Sequence, residues 1–419
     1  MFRFIHAADI HLDSPLKGLE SYEDAPVAEI RGASRRAFDN LVELAIEEDV
    51  RFILLAGDLY DGEWKDYHTG LFFIGRMGRL RRHHIQVFMV SGNHDAASRI
   101  TKNLQLPDHV RILSNKKPET ILLEDAGVAI HGQGYSSRAV TENLAARYPL
   151  YIPDYFNIGL LHTALNGREG HEPYAPCTLD DLLQKGYDYW ALGHVHNREE
   201  VSTDPWIVFP GNIQGRHARE TGAKGASVVT VEDGQVTSVS HRELDVLRWC
   251  VCLADLSGCK TIDAVHDHVR QALEKEQENA GGRILAVRLV LSGTCPVHSY
   301  LLGETTLLTE SFQSVAAGLG DMWLEKVLFQ TQRDAKLKNA MGTESPLTGL
   351  MTAVEQFDLD ADLLPERIPE IGRLKNRLPT DLVGSDDPLL PDSPDRITAF
   401  RDEVSELLTG KLIRQGKRP

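Results

Sequence analysis

The sequence has no apolar run near the ~20 residues needed to cross a bilayer, so no membrane partner is expected. Its five cysteines, Cys177, Cys250, Cys252, Cys259 and Cys295, are an odd number without a Cys-x-x-Cys pair. That argues against a disulfide framework or a thiolate zinc site and predicts free buried thiols in a reducing cytoplasm. Positive charge is short: 45 Lys and Arg against 61 Asp and Glu leave a net −16. Such a balance opposes indiscriminate wrapping of nucleic acid, which rests on phosphate neutralisation. It leaves room for a local basic track, or for a metal site that supplies positive charge itself. A phosphate-binding loop is also missing, since GTESPLTG, SGCKT and LTGKL each fall short of G-x-x-x-x-G-K-[ST]. ATP hydrolysis by that route is excluded, and any ATP-driven step needs a partner. There is no internal repeat or low-complexity tract, and a strand expected from Phe2 leaves no signal peptide ahead of it.

What is present is an ordinary globular composition, 42% hydrophobic and 25% charged, over 419 residues, enough for two or three domains. Residues 1–247 alternate strand and helix patterns. DAPVAEIRGASRRAFDNLVELAIEED (24–49) opens with Asp and an early Pro, then places Ile30, Ala37, Leu41 and Leu44 near helical spacing. Residues 66–84 read as a second helix. From about 199 the pattern changes to strands alone, EEVST, PWIVFPGN, GASVVTVEDG and QVTSVSHREL, expected to form the second sheet of a layered sandwich. Residues 248–332 read as a small β-α-β-α-β domain, with Cys250 and Cys252 on one strand face. Residues 333–419 read as linkers and a helical extension, with Ile397, Phe400, Val404 and Leu407 on an exposed apolar stripe.

Several strands end in the same way. IQVFMVSGNHDAAS is an apolar run that stops at a glycine and delivers Asn93, His94 and Asp95. FRFIHAADIH ends in Asp9 and His11, FILLAGDLYD in Asp58 and Asp61, NIGLLHT in His162, and YDYWALGHVH in His194 and His196. Ligands of α/β sheets bind beyond the carboxyl ends of the strands, so five loaded tips point to one site. Asp9, His11, Asp58, Asn93, His162, His194 and His196 form a mixed oxygen and nitrogen set. With one bridging carboxylate, seven ligands fit two ions. Paired ions roughly 3.5–4 Å apart can hold a bridging hydroxide and clamp the attacking and leaving oxygens of a phosphoryl displacement. The absence of thiolate favours Mn²⁺ or Fe over structural zinc, with Mg as a further candidate. His94 follows ligand Asn93 and cannot readily face the same ion, which frees it to contact phosphate or protonate a leaving group, with Asp61 to orient it. A single strand-end His is more often a core or loop residue, and His6, His131, His171 and His266 are read as structural. Asp95 is read as a helix N-cap.

DIH, GDLYD, GNHD, LLH and GHVH, in that order, resemble the signature segments of the calcineurin-like metallophosphoesterase superfamily over residues 1–245. The resemblance implies a four-layer αββα sandwich, with Asp9, His11, Asp58 and His196 on one metal and Asp58, Asn93, His162 and His194 on the other. Asp58 would bridge, His94 would be catalytic, and Asp61 matches the position that pairs with it. The start MFRFIHAADIHLDSPLKGL and PGNIQGRHARETGAKGASVV are similar to DNA-repair exonucleases of the SbcD/YhaO type, and 248–331 resembles their capping domain. What this implies is a Mn²⁺-dependent phosphodiesterase acting on DNA, working with a coiled-coil, SMC-like ATPase. Homodimerisation is left open. A phosphoesterase of small molecules or phosphoproteins could use the same core, and the complete ligand set disfavours a scaffold with a vestigial site. Candidate phosphate contacts are Arg216, His217, Arg219 and Lys224 in GRHARETGAKG, a loop expected to line the site. Arg76, Arg79, Arg81 and Arg82 are read as a solvated helix face.

Overall fold

The computed structural model describes residues 1–14, 27–61, 67–97, 105–166 and 174–333, with isolated positions beyond 350. They fall into two compact units, one of residues 1–251, 276–288 and 321–325, the other of residues 252–275, 289–320 and 326 onward.

In the first unit, β1 (Phe2–Ala7), β2 (Phe52–Ala56) and β3 (Gln86–Val90) run parallel, with Phe4 opposite Phe52 and Ile53 opposite Val87. β4 (Val110–Ile112) extends this sheet in parallel beyond β3. The second sheet follows the order β5 (Glu119–Leu123), β6 (Val128–Gly132), β7 (Phe156–His162), β8 (Tyr189–Gly193), β10 (Trp206–Phe209) and β9 (Glu199–Thr203). Its four inner strands are parallel, and its two edges pair antiparallel.

Strand alternation decides what each face buries. Phe4, Phe52, Leu54 and Phe88 meet Ile130, Ile158, Leu160, Tyr189 and Val208 between the sheets. There Phe4 and Phe52 stack at 5.0 Å, and Tyr189 sets its edge on Phe4 at 5.2 Å. The opposite set, Ile5, Ile53, Leu55, Val87 and Met89, packs against α1 (Val27–Glu47) and α2 (Tyr67–Arg82) through Phe38, Leu41, Phe73 and Met77. The outer face of the second sheet is covered by Tyr135, Tyr148, Tyr187 and Leu182 of the short α4 (Leu179–Leu183) around Trp190. The layers are therefore helix, sheet, sheet and a thin helical cover, the sandwich the sequence predicts.

One expectation is corrected. The strand-only stretch after residue 199 does not form one sheet. β9 and β10 join the second sheet, while β11 (Gly225–Glu232) and β12 (Gln235–Glu243) extend the first. β11 pairs antiparallel with β1, Ile5 opposite Val228, covering an edge that would otherwise expose unpaired backbone groups.

Strands β13 (Leu247–Asp255), β14 (Ile284–Thr294) and β15 (Met322–Gln332) make a third, three-stranded sheet in that order. Helices α5 (Ile262–Asn279), α6 (His298–Gly303) and α7 (Thr305–Leu319) complete the expected β-α-β-α-β succession. None of the five cysteines forms a disulfide, and Cys250 alone is not buried. The C-terminal helices expected around 345–357 and 397–412 lie outside the described residues except at isolated positions. Of the stripe expected to be exposed, Ile397 is buried and Val404 half-buried, so it is not an open apolar face at those two positions. His6 is buried between Tyr189 Oη and the Leu192 carbonyl, each 3.0 Å from a ring nitrogen, and burial lowers its pKa to about 3. His131 lies between Thr120 and Asn157. His171 is outside the described residues.

Backbone pairing continues past the strand ends. Asp9 N–H donates to the Gly57 carbonyl (3.1 Å), His11 N–H to that of Asp58 (3.0 Å), and Thr163 N–H to that of Gly193 (3.0 Å). The loops of β1 with β2, and of β7 with β8, are thus held in register beyond the sheet. Asp95 ties in the third tip, and here the N-cap reading fails. Asp95 lies inside α3 (Asn93–Ala97), and its buried carboxylate accepts N–H from Leu59 (3.2 Å), Tyr60 (2.9 Å) and Gly92 (3.1 Å). The carboxylate serves a tertiary junction between the β2 and β3 loops because three donors converge on it. Asp95→Ala leaves those buried donors bare, a loss of roughly 3–5 kcal/mol for hydrogen bonds to a charged acceptor. Denaturant unfolding should show that loss; a variant as stable as the parent would remove Asp95 from the scaffold of the site.

Candidate metal centre

Three of the five loaded strand tips turn sharply. Asp9 (φ 51°), His11 (46°), Asp58 (53°) and His194 (103°) all adopt the left-handed region that side chains disfavour. Such conformations persist only where surrounding structure over-determines them, and they collect at functional sites. The glycines beside the ligands make room for this. A Cβ at Gly57, itself at φ 93°, would strike the His162 ring, and one at Gly92 would strike the Asp58 carboxylate. That accounts for the GD and GN dipeptides in physical terms.

The tips bring six of the seven expected ligands together, with the ring of the seventh, His194, beside them. Donor atoms of Asp9, His11 and His196 lie within 4.8 Å of one another, as do those of Asp9, Asp58 and His162. His162 Nδ1 donates to the Ala56 carbonyl at 2.8 Å. In the neutral tautomer that this bond selects, Nε2 carries the lone pair and faces Asn93 Oδ1 (3.0 Å) and Asp58 Oδ2 (3.5 Å). Three acceptors converging without a donor is a fit for a cation. His194 stands beside this group, its ring 5.1 Å from that of His162, while its backbone N–H donates to Asp9 Oδ2 at 3.0 Å. On the other side, the Nε2 atoms of His11 and His196 lie 3.3 Å apart, with Asp9 Oδ1 3.9 Å from His196 Nε2. His196 Nδ1 donates to Glu220 Oε1 at 2.6 Å, again leaving Nε2 as an acceptor facing acceptors.

Electrostatics agree with the geometry. Burial raises the Asp9 carboxyl well above its usual range, and the neighbouring Asp58 charge adds to the effect. Burial likewise raises Asp58 to about 6, against the opposing charge and backbone hydrogen bond of His94. Burial drives His11 well below its ordinary value, and Arg216 pushes the same way. Two carboxylates forced together with neutral imidazoles are the donor set that divalent cations stabilise in the ionised form.

His94 sits at the edge of this cluster. Its backbone N–H donates to Asp58 Oδ1 at 2.9 Å, and its Nδ1 donates to Asp61 Oδ1 at 2.6 Å. Asp61 also accepts a very short hydrogen bond from Ser14 Oγ. Burial opposes ionisation of Asp61, but the hydrogen bonds from His94 and Ser14, with the charges of His94 and Arg216, outweigh it and hold the carboxyl at about 2. Burial also disfavours the His94 cation, yet the Asp61 hydrogen bond and the Asp58 charge prevail and raise its pKa.

The arginine loop divides. Arg216 enters the site: Nη1 lies 3.7 Å from Asp61 Oδ2, and Nη2 lies 3.2 Å from Glu220 Oε1. His217 and Arg219 remain exposed on the same loop. Lys224 does not face the site as a phosphate contact. It is buried, and its ammonium donates to the His196 carbonyl (3.1 Å) and Asn197 Oδ1 (3.3 Å). Arg76, Arg79 and Arg81 of α2 pair with Asp39, Glu43 and Asp108. Sequence reasoning passed over Glu220 and Ser14. The signal for Glu220 is a lone acid inside a basic run, four residues after Arg216.

Fold and site define a metal-dependent phosphoesterase. A calcineurin-like phosphoesterase family model matches residues 2–198. One described as the middle domain of metallophosphoesterase YhaO matches residues 249–332. The chain is 36% identical over 389 residues to the uncharacterized metallophosphoesterase YhaO of Bacillus subtilis (strain 168), covering 91% of this chain and 94% of that one. A solved dimetal phosphatase from Danio rerio aligns with a TM-score of 0.35 at 11% identity, over 58% of this chain and 97% of that one. The chain belongs to the calcineurin-like metallophosphoesterase family, whose members use dimetal centres. Among the described residues, no helix is long and apolar enough to cross a membrane.

If His94 delivers a proton, the Asp61 pair sets the pH range of activity. A raised pKa keeps His94 protonated to higher pH, so activity should fall only as pH rises through that raised value. Asp61→Asn removes the support and should move the alkaline limb of kcat/KM to lower pH. A uniform loss of rate with the limb unmoved would sink this assignment.

Proposed function

We propose that the chain is a Mn²⁺-dependent phosphodiesterase acting on DNA, an exonuclease or endonuclease of DNA repair. The observation that carries this reading is an arginine-bearing loop that starts in the metal centre at Arg216 and continues to an exposed Arg219. Arg216 stands within the site beside Asp61, and exposed His217 and Arg219 follow on the same loop. A monoester needs one phosphate held, whereas cations continuing outward suit a polyanion. The resemblance of the chain's opening and its PGNIQGRHARETG segment to SbcD/YhaO-type nucleases supports the same choice.

Bound ions would neutralise phosphate charge and supply Lewis acidity at the ester. Asp9, His11, Asp58 and His196 would hold one ion, and Asp58, Asn93, His162 and His194 the other. Asp61 fixes Nδ1 of His94, leaving Nε2 to pass a proton to the departing oxygen. Arg216 would orient a non-bridging phosphate oxygen. Manganese suits the thiolate-free donor set. The missing phosphate-binding loop supports a separate SMC-like, coiled-coil ATPase as partner.

One observation favours the rival reading, a phosphoesterase of small molecules. Net charge is −16, and three arginines of α2 are paired with acids. The two are separated by Arg219→Ala, assayed with Mn²⁺ on end-labelled duplex DNA and on a chromogenic phosphodiester. DNA binding should weaken, its log–log salt slope shallower by about one unit or less for the lost contact, while the small ester is still hydrolysed at the parent rate. An absence of DNA cleavage by the parent protein, with small-ester turnover intact, would decide for the rival.

A further inference from the structure

Three imidazoles turn Nε2 into the metal pocket, and they differ in what holds the other ring nitrogen. His162 Nδ1 is fixed by a backbone carbonyl, that of Ala56. His11 Nδ1 is buried without a hydrogen-bond partner. His196 Nδ1 is held by a side chain, Glu220, at 2.6 Å. Glu220 is itself 5% exposed, and its second oxygen accepts N–H from Arg216 (2.7 Å) and Nδ2 of Asn212 (2.9 Å). The first oxygen also faces Arg216 Nη2 at 3.2 Å.

We propose that Glu220 is a positioning residue of the metal centre, fixing His196 with Nε2 toward the ion and tethering Arg216 to the same ring. The inference rests on the dinuclear reading above. A ligand histidine is usually oriented by a carboxylate or carbonyl on its second nitrogen, and losing that partner costs 10- to 100-fold in metal affinity as a rough guide. Here the carboxylate has a second task. A guanidinium next to a cation site would be repelled toward solvent, and Glu220 supplies the opposing charge that keeps it at the rim. Metal ligand and phosphate-facing cation are therefore bound to one side chain, on a loop set by its backbone N–H groups.

The test is calorimetric titration of the full-length, metal-free protein with Mn²⁺. The parent should bind two ions. Glu220→Ala should weaken one of them by about 10- to 100-fold and leave the other near its parent value. Glu220→Gln keeps an oxygen that can accept the Nδ1 proton and should lose less. Arg216→Ala removes a positive charge from the rim and should hold or raise Mn²⁺ affinity, opposite in sign to Glu220→Ala. Should the alanine variant not fold, ¹⁵N-histidine spectra of the parent carry the test: His196 should be the Nδ1–H tautomer, and an Nε2–H tautomer overturns the proposal. Parent-like affinity of both ions in folded Glu220→Ala also overturns it. So does a Gln variant as weak as the Ala variant, or an Arg216→Ala loss equal to that of Glu220→Ala. A parent that binds no Mn²⁺ would refute the dinuclear reading itself, a distinct outcome.

Discussion

Two buried carboxylates, Asp9 and Asp58, stand close together amid imidazole nitrogens and an amide oxygen; burial raises the proton affinity of both, and the Asp58 charge adds to that of Asp9. Such a cluster is unfavourable as plain protein. Burial penalises each ion, and the backbone N–H groups of His94 and His194 offset only part of that penalty. The arrangement is accounted for by divalent cations, whose charge offsets both penalties at once. The rest of the first unit serves to hold that cluster in place.

The scaffold does so by stiffness. Strands buried on both faces, FILLA of β2 among them, have one register only, because a slip by one residue would exchange the sheet-facing and helix-facing sets. Backbone hydrogen bonds carry that register past the strand ends into the loops, and Asp95 joins two of them. Four ligands can then sit in left-handed conformations without relaxing. Around the ligands lies a ring of orienting groups: the Ala56 carbonyl on His162, Glu220 on His196, Asp61 on His94 and Ser14 on Asp61. The same ring holds Arg216, through Asp61 and Glu220.

The strand tips were legible in the sequence because a buried strand and a polar terminus leave opposite marks on neighbouring residues. FILLA followed by GDLYD is one such change of character, and five repeats in order made the site readable. Pairing between distant strands left no local mark. β11 meets β1 across more than two hundred residues, so its membership of the first sheet could not be read from GASVVTVE. β4 and β5, short and partly exposed, lack the apolar run that reveals a strand. Side chains whose role depends on a distant partner were misread for the same reason. Asp95 looked like a local cap and Lys224 like a phosphate contact, while Glu220 drew no reading at all.

Asp58 is placed to be the carboxylate shared by two cations, and the dinuclear centre depends on it. Metal counting by plasma spectrometry on the parent and on Asp58→Asn, after equilibration with Mn²⁺ and removal of excess, tests it most directly. The account predicts two ions per parent chain and fewer than two in the variant, whose side chain keeps its size but loses its charge. A parent that holds none, or a variant that still holds two, would contradict it.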